Sequence, residues 1–475
     1  MRIYLNCFRF LTKRTALLAF AFTQIVSASF VLLPGAQIAR AQEPITLEQA
    51  VGTALAKNPV LKAAQEETEV ARAQTNQVRA AQYPRVDFSQ GFTRGNNPVY
   101  VFGTLLTQRQ FTAANFALSQ LNTPAPLDNF QTRLEGQMLL FDWGRTRQRI
   151  RGAKRMETAA EFDAEQARQD LILRVVRAYY GVVVARENLA AAREAYRTAE
   201  ANEARVKALA EAGLVVSSDL LSAQVFRAQM KDREIRADNQ LQLARMMLSN
   251  EMGLGPEPLS EPVDKLEEFA GETRRIEEWE RTALTERPAL RAAELRYQAA
   301  EKNRSLARAE FGPRVGLFAN VERDAEALGG GPSGTNWTAG VRLEINLFAG
   351  GADRHRLAEA SARERQASNQ LDWFRSGVRL EVRQAYLETH AAEQRVEAAR
   401  GSAEQAQEGL RILQNRYDAG LATMTDLLRA QTAALEAKTG YLAALYDWHV
   451  AVAQLERTAG KLTEDSKLIR RTVTP

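Results

Sequence analysis

Cysteine is almost missing from this chain of 475 residues: the one present, Cys7, lies among the first 41. With that segment removed, no disulfide, thiolate metal site or cysteine nucleophile could form. The three histidines, His355, His390 and His449, are scattered without ligand spacing or a nearby acidic cluster, which argues against a metal centre. Proline is absent from 145–255 and from 333–474, so very long helices are permitted there. A mean hydropathy of -0.35 argues against a bundle of transmembrane helices. Asp and Glu are absent from 1–41, where Arg2, Arg9, Lys13, Arg14 and Arg40 carry the whole formal charge of +5. The remainder is neutral, and nucleic-acid binding has no compositional support.

That first segment has a basic start, an apolar stretch over 16–33, Pro34-Gly35, and Ala39-Arg40-Ala41 before Gln42. This is the tripartite pattern of a secretory signal, with cleavage expected after Ala41. A retained N-terminal anchor is the alternative, because the apolar stretch approaches the length of a span. No cysteine stands at the cleavage point to take a lipid, so membrane attachment would have to come from the folded chain.

The chain repeats itself. A shift of 229 lays Thr53-Ala54-Leu55 on Thr282-Ala283-Leu284, Pro59 on Pro288 and Pro84-Arg85-Val86 on Pro313-Arg314-Val315. Farther on, a shift of 207 lays Leu140-Phe141 on Leu347-Phe348 and Gly144 on Gly351. The same shift lays Ala212-Gly213-Leu214-x4-Asp219-Leu220-Leu221 on Ala419-Gly420-Leu421-x4-Asp426-Leu427-Leu428. The change of shift locates one insertion in the first copy, between Arg94 and Gly144. The expected layout is a signal over 1–41, a first repeat over 42–252 and a connecting, equatorial segment over 253–276. A second repeat over 277–460 and a short, polar, mobile tail over 461–475 complete it.

Each copy places a period-two pattern after its Pro-Arg-Val. Val86, Phe88 and Phe92 share one face, and Val315, Leu317, Ala319 and Val321 repeat the arrangement. The alternation is cleanest from Trp337 to Leu347, with Ala339, Val341, Leu343 and Ile345 between. Four strands are predicted, at about 84–94, 131–143, 313–323 and 336–349. The insertion over 95–130 reads as a long loop facing the cell exterior, and Gly329-Gly330-Gly331-Pro332-Ser333-Gly334 reads as a turn between strands.

Long helices follow. The equal stretches 145–211 and 352–418 would each make a rod of roughly 100 Å. Apolar residues at Ala392, Val396, Ala399, Ala403, Ala406, Leu410 and Leu413 step by four and three, the seam of a left-handed coiled coil. A plain antiparallel coiled coil without a conduit explains that seam equally well. Four amphipathic strands, however, cannot close a barrel, and an open sheet leaves unpaired edges. Copies of the chain are needed; two would give eight strands and three would give twelve, and the pattern does not choose between them.

The duplicated layout, the Leu-Phe-x-x-Gly turn out of each second strand and the Ala-Gly-Leu-x4-Asp-Leu-Leu-x-Ala-Gln hairpin tips together resemble the TolC-like outer membrane efflux protein family, the outer membrane factors. The resemblance covers essentially all of the chain after Ala41. It implies a mainly α fold with β: a homotrimer whose outer-membrane β-barrel of twelve strands, four per chain, is continued by a long periplasmic α-helical coiled-coil tunnel. It also implies a passive exit duct in the outer membrane of a Gram-negative cell, embedded in outer membrane lipid. Its partners would be a periplasmic adaptor (membrane fusion) protein and an inner-membrane pump, serving drug efflux, metal efflux or type I secretion. Neither catalysis nor a cofactor is implied. A periplasmic coiled-coil adaptor or a structural protein is the alternative, but the adaptor predicts a single hairpin.

By the same resemblance, adaptors grip the tips at Gly213, Leu214, Gly420 and Leu421. Asp426 matches an acidic ring at the periplasmic mouth, whereas the often acidic position a turn later is Arg429 here. Links that hold the mouth closed match Ser218, Asp219 and Tyr417, and the arginine that completes them corresponds to Ala422. Helix capping explains the same residues without a pore: Gly213 and Gly420 suit helix C-termini, and Asp219 and Asp426 suit the starts of the next helices.

Overall fold

The computed structural model describes residues 44–255, 261–268 and 274–470. The expected export signal lies outside the described residues. Helix α1 (Leu47–Lys57) opens on Thr46, whose side chain accepts from the Gln49 amide while Gln49 accepts from the Thr46 amide. Helix α2 (Pro59–Arg79) starts on a proline, where the missing N–H costs nothing, with Asn58 accepting from Val60. Then come strand β1 (Arg85–Gly95), helices α3 (Pro98–Thr107) and α4 (Leu118–Asn122), strand β2 (Leu127–Phe141), and helices α5 (Arg145–Glu211) and α6 (Ser217–Glu251). Helices α7 (Ile276–Glu286) and α8 (Pro288–Ala309), strands β3 (Arg314–Ala327) and β4 (Gly330–Glu344), and helices α9 (Ala352–Asp418) and α10 (Met424–Thr458) repeat that order without α3 and α4.

The strands form one antiparallel sheet in chain order. Its register sorts the side chains cleanly. Phe88, Leu134, Val321 and Trp337 stand in one cross-strand row, and Met138, Leu317 and Val341 in another, all of them exposed. On the opposite face lie Ser89, Arg133, Glu322 and Asn336 in one row, and Asp87, Glu135, Asn320 and Thr338 in the next. Arg133 and Glu322 pair there at 2.8 Å. Nothing among the described residues covers the apolar face, and the outer edges of β1 and β4 have no strand beside them.

Four expectations need correction. The second strand starts at Leu127 and ends at Phe141, because Trp143 and Gly144 both take positive φ and turn the chain into α5. Strand β4 starts at Gly330 and stops at Glu344, so Ile345 and Leu347 lie beyond the ladder although the alternation runs through them. The insertion is folded, with α3 and α4 inside it, and the described part of the tail, to residue 470, is anchored: Leu462, Leu468 and Ile469 are buried in the main core.

Helices α5 and α9 each run 67 residues, about 100 Å. The start of α5 is pinned by Arg145, whose guanidinium donates to the carbonyls of Ala309, Glu310 and Gly312 at 2.6–3.1 Å. The largest core gathers around its middle, where Leu171, Val175, Tyr179 and Val183 meet Leu47 and Val51 of α1, Leu248 of α6 and Ala453 of α10. Residues 261–268 cross this waist. Tyr179 donates from its hydroxyl to Asp264 (2.6 Å) or to the Ile45 carbonyl (3.0 Å), and Arg186 donates to the carbonyls of Pro262 and Asp264.

Four helix ends are built alike. Gly213, Gly253, Gly420 and Gly460 all have φ of 72–75°, and each helix closes with paired bonds back to its last turn, such as Leu214 to Leu209 and Leu421 to Arg416. The waist pair carries an extra constraint. A Cβ on Gly253 would come 2.8 Å from the Asn58 backbone, and one on Gly460 would come 2.6 Å from Arg287 Cα, the same joint in the two copies. At Gly213 the space is open. Gly213→Ala should therefore cost only the backbone strain, about 1 kcal/mol. Gly460→Ala should cost roughly 1–3 kcal/mol more through overpacking, seen as a larger fall in the denaturation midpoint of the helical signal. Equal losses would show that the Arg287 joint yields.

Candidate functional site: the hairpin tips

At the far end from the sheet, α5 turns into α6 and α9 into α10, and the two turns pack side by side. Val206, Ala223, Met424 and Leu427 form a small buried cluster, flanked by Leu220, Leu410 and Tyr417. Leu214 and Leu421 stay out of it, 72% and 69% exposed. Each follows a positive-φ glycine that holds the turn sharp, so the side chain projects from the apex instead of folding back. Two leucines of this exposure at the ends of a pair of rods are an apolar surface without a partner among the described residues.

Asp426 sits in the first turn of α10. Its carboxylate accepts from the Thr423 hydroxyl (2.6 Å) and amide (3.2 Å), while the Asp426 amide donates to Thr423 Oγ1 (3.2 Å). These bonds, chiefly the hydroxyl, hold its pKa below the ordinary carboxylate value, with a smaller contribution from Arg429 and then Arg416. Asp426 is thus part of a cap and also a charge that persists to lower pH than that of an ordinary aspartate. Arg429, exposed one turn on, places a cation beside it.

The first copy differs. Val216 stands where the second copy has Thr423, and α6 starts without a side-chain cap bond. Asp219 lies in the first turn of α6 but caps nothing; its charge instead reaches Tyr417. Partial burial first, and Asp219 second, raise the Tyr417 pKa above that of a free phenol, against the opposing charge of Arg205. Ser218 contributes its carbonyl, which accepts from Ser222 Oγ at 2.8 Å. Asp219 thus acts on Tyr417 through its charge, without a hydrogen bond between them among the described residues, and Ser218 is engaged locally.

Sequence reasoning missed Arg205. With Ala422 in the expected arginine position, the guanidinium arrives from α5 instead: Arg205 pairs with Asp418 at 2.5 Å and lies 5.9 Å from the centre of the Tyr417 ring. It ties one hairpin to the other. The available signal was its place beside the buried seam residue Val206 at tip height.

The unequal caps generate a direct expectation. Val216→Thr would let Asp219 form the box that Thr423 and Asp426 form in the other copy. The start of α6 should gain about 0.5–2 kcal/mol, read as slower hydrogen exchange of its first-turn amides. Unchanged exchange would show that Asp219 is committed to Tyr417.

Residues 50–254 and 279–461 match the family model for outer membrane efflux proteins. Among curated proteins, the chain is 26% identical to protein CyaE of Bordetella pertussis, over 88% of this chain and 85% of that one. It is 25% identical to the alkaline protease secretion protein AprF of Pseudomonas aeruginosa, over 86% and 83%. In fold it matches the Campylobacter jejuni CmeC outer membrane channel with a TM-score of 0.75 at 21% identity, covering 89% of this chain and 87% of that one. No helix among the described residues is long and apolar enough to cross a membrane, and the sheet with its bare apolar face is the element suited to lipid. With both repeats matched nearly end to end, the chain belongs to the outer membrane efflux protein family.

Proposed function

We propose that three copies of this chain assemble into one duct, a twelve-stranded barrel in the outer membrane continued by a helical tunnel through the periplasm. One observation carries the reading: the sheet and the helix layer are open on the same two sides. In the sheet the order is β1, β2, β3, β4. Among the helices, α2 and α6 pack on α5, α5 packs on α8 and α10, and these pack on α9. So β1, α2 and α6 form one flank while β4 and α9 form the other. Trp373, Leu380 and Leu387, exposed at seven-residue steps on α9, give that flank an apolar stripe. A flank that differs from its opposite can close a ring only head to tail.

Width supports three copies over two. Eight strands leave an interior just wide enough for their own side chains. Here the polar face also carries α3, so more room is needed. Strands ~4.8 Å apart and tilted by ~40° give twelve a circumference of about 75 Å and a backbone diameter of about 24 Å.

The duct is passive, and no step of bond chemistry is assigned to it. Its tips meet a periplasmic adaptor through Leu214 and Leu421 with Gly213 and Gly420, and an inner-membrane pump supplies the energy for efflux or type I secretion. The gate is the ring of tips. Asp426 and Arg429 set its charge, and Asp219, Ser218 and Tyr417, with Arg205, set its closure.

The test of assembly is mass. Protein extracted from outer-membrane fractions in mild detergent should weigh three times the chain from Gln42 onward; a soluble monomer would overturn the duct. A second test addresses closure. An exposed pair such as Arg205 with Asp418 contributes about 0.2–1 kcal/mol, so three copies together hold the closed state by roughly 1.5 kcal/mol. Arg205→Ala should thus raise the open population, and the mean conductance in a planar bilayer, by about tenfold. Unchanged conductance would leave closure to the apolar cluster alone.

A further inference from the structure

The insertion of the first repeat is absorbed by none of this. It does not hang outside the sheet; it lies on the sheet's polar face at the end away from the helices. Gln108 is completely buried there and donates to the Asp128 carbonyl (2.8 Å) and Asn129 Oδ1 (3.0 Å). Asn129 in turn donates to Asp324 of β3 at 2.7 Å. Arg109 donates to the Thr335 carbonyl, and Asn336 donates to the Thr107 carbonyl. Gly334 shares the face of Asn336, and a Cβ there would run into the Thr107 carbonyl. Helix α3 is seated against β2 and β4.

Its two sides are chemically opposite. Val101, Thr104 and Gln108 are buried toward the sheet. Val99 is 81% exposed, and Phe102 and Leu106 follow it at steps of three and four on the side away from the sheet. Phe102 meets Phe111 edge to face at 4.9 Å, Phe111 meets Phe116 at 5.1 Å, and Phe116 and Leu118 extend the apolar surface. Lipid does not cover it, because lipid lies against the other face of the sheet. Water alone is a poor partner for so much apolar surface on one short segment.

We propose that the three copies of α3 cover one another, forming a hydrophobic constriction across the outer mouth of the barrel. This rests on the twelve-stranded reading above. In that barrel the polar face is the lumen wall, and away from the sheet means toward the axis. Three helices ~10–12 Å wide, packed in a triangle, need a circle of about 22–26 Å, no less than the backbone ring of about 24 Å before its inward side chains are counted, so they have no room to stand apart. Three copies of α3 therefore fill the mouth, with Val99, Phe102 and Leu106 of each facing the other two. A ring of this chemistry resists the passage of ions by dewetting while it yields to a large apolar or unfolding substrate. The second repeat makes the same connection with residues 328 and 329 only, so one repeat per chain supplies the collar.

The experiment uses the assembled protein in planar bilayers, with its trimeric mass measured alongside. Val99→Cys introduces one thiol per copy, and a charged methanethiosulfonate added from the outer side should change the current in three steps. The second variant joins Gly95 to Leu127, which lie opposite each other in the ladder, by a two-residue Asn-Gly turn. It should remain a trimer and conduct several-fold more than the parent, and detergent-free cells carrying it should take up large hydrophilic antibiotics. A trimer whose current ignores the thiol reagent, with the shortened variant conducting like the parent, would overturn the collar while leaving the duct intact. A chain that is not trimeric would overturn the duct and the collar with it.

Discussion

An apolar sheet face that none of the described residues covers governs this molecule. The rows through Trp337 and Val341 are exposed because the long helices leave the sheet end-on and never fold back over it. Lipid can satisfy that face, but only if every backbone N–H and C=O at the edges is also paired, since hydrocarbon offers them nothing. Closure into a ring follows from the edges as insertion follows from the face. The helices inherit the same symmetry, since each strand hands its lateral position to the helix joined to it.

Stability is distributed unevenly along the rods. At the waist, large side chains interlock around Tyr179, the strap over 261–268 is bonded to α5, and two glycines admit backbone at under 3 Å. Toward the tips the seam thins to alanine and small clusters, and the polar links between the hairpins are exposed ion pairs such as Arg205 with Asp418, Arg233 with Glu436 and Lys438 with Glu194. Burial of large apolar groups contributes about 1.5–3 kcal/mol per side chain, against a fraction of that for an exposed pair. The waist is therefore the fixed point and the tips are the part that a modest load can move. Low local stability where opening must occur is what a duct needs.

How much of this was legible beforehand follows from which interactions are local. The duplication, the four strands, the equal rods and the glycine turns rest on residue periodicity and on single positions such as Gly213 and Gly420, which a sequence displays directly. Arg205 was not legible as a tip residue, because its partners Tyr417 and Asp418 lie two hundred positions away and only the packing of α5 against the second hairpin brings them near. The tail misled for a related reason: its polar composition hides Leu462, Leu468 and Ile469, spaced to fit a cleft that exists only once α1 and α5 have met. Strand β4 ended early because the turn into α9 overrides an alternation that continues through Leu347.

The two repeats are equivalent where they must stack and different where they meet something outside the chain. The glycine C-terminal caps, the joints they make and the rod lengths agree at the waist, where each repeat supports the other. At the ends the first repeat departs twice: it carries α3 at the sheet end, and it starts α6 on Val216 without the box that secures α10. A duplicated chain closing head to tail would present near-sixfold symmetry at both mouths if its halves were identical. Divergence in one half removes that equivalence: one tip of each chain is secured by the Thr423–Asp426 box, and the other starts α6 without a side-chain cap. In the assembly proposed above, the firmly capped tip would serve as a fixed docking point while the looser one moves, and neither task then limits the other.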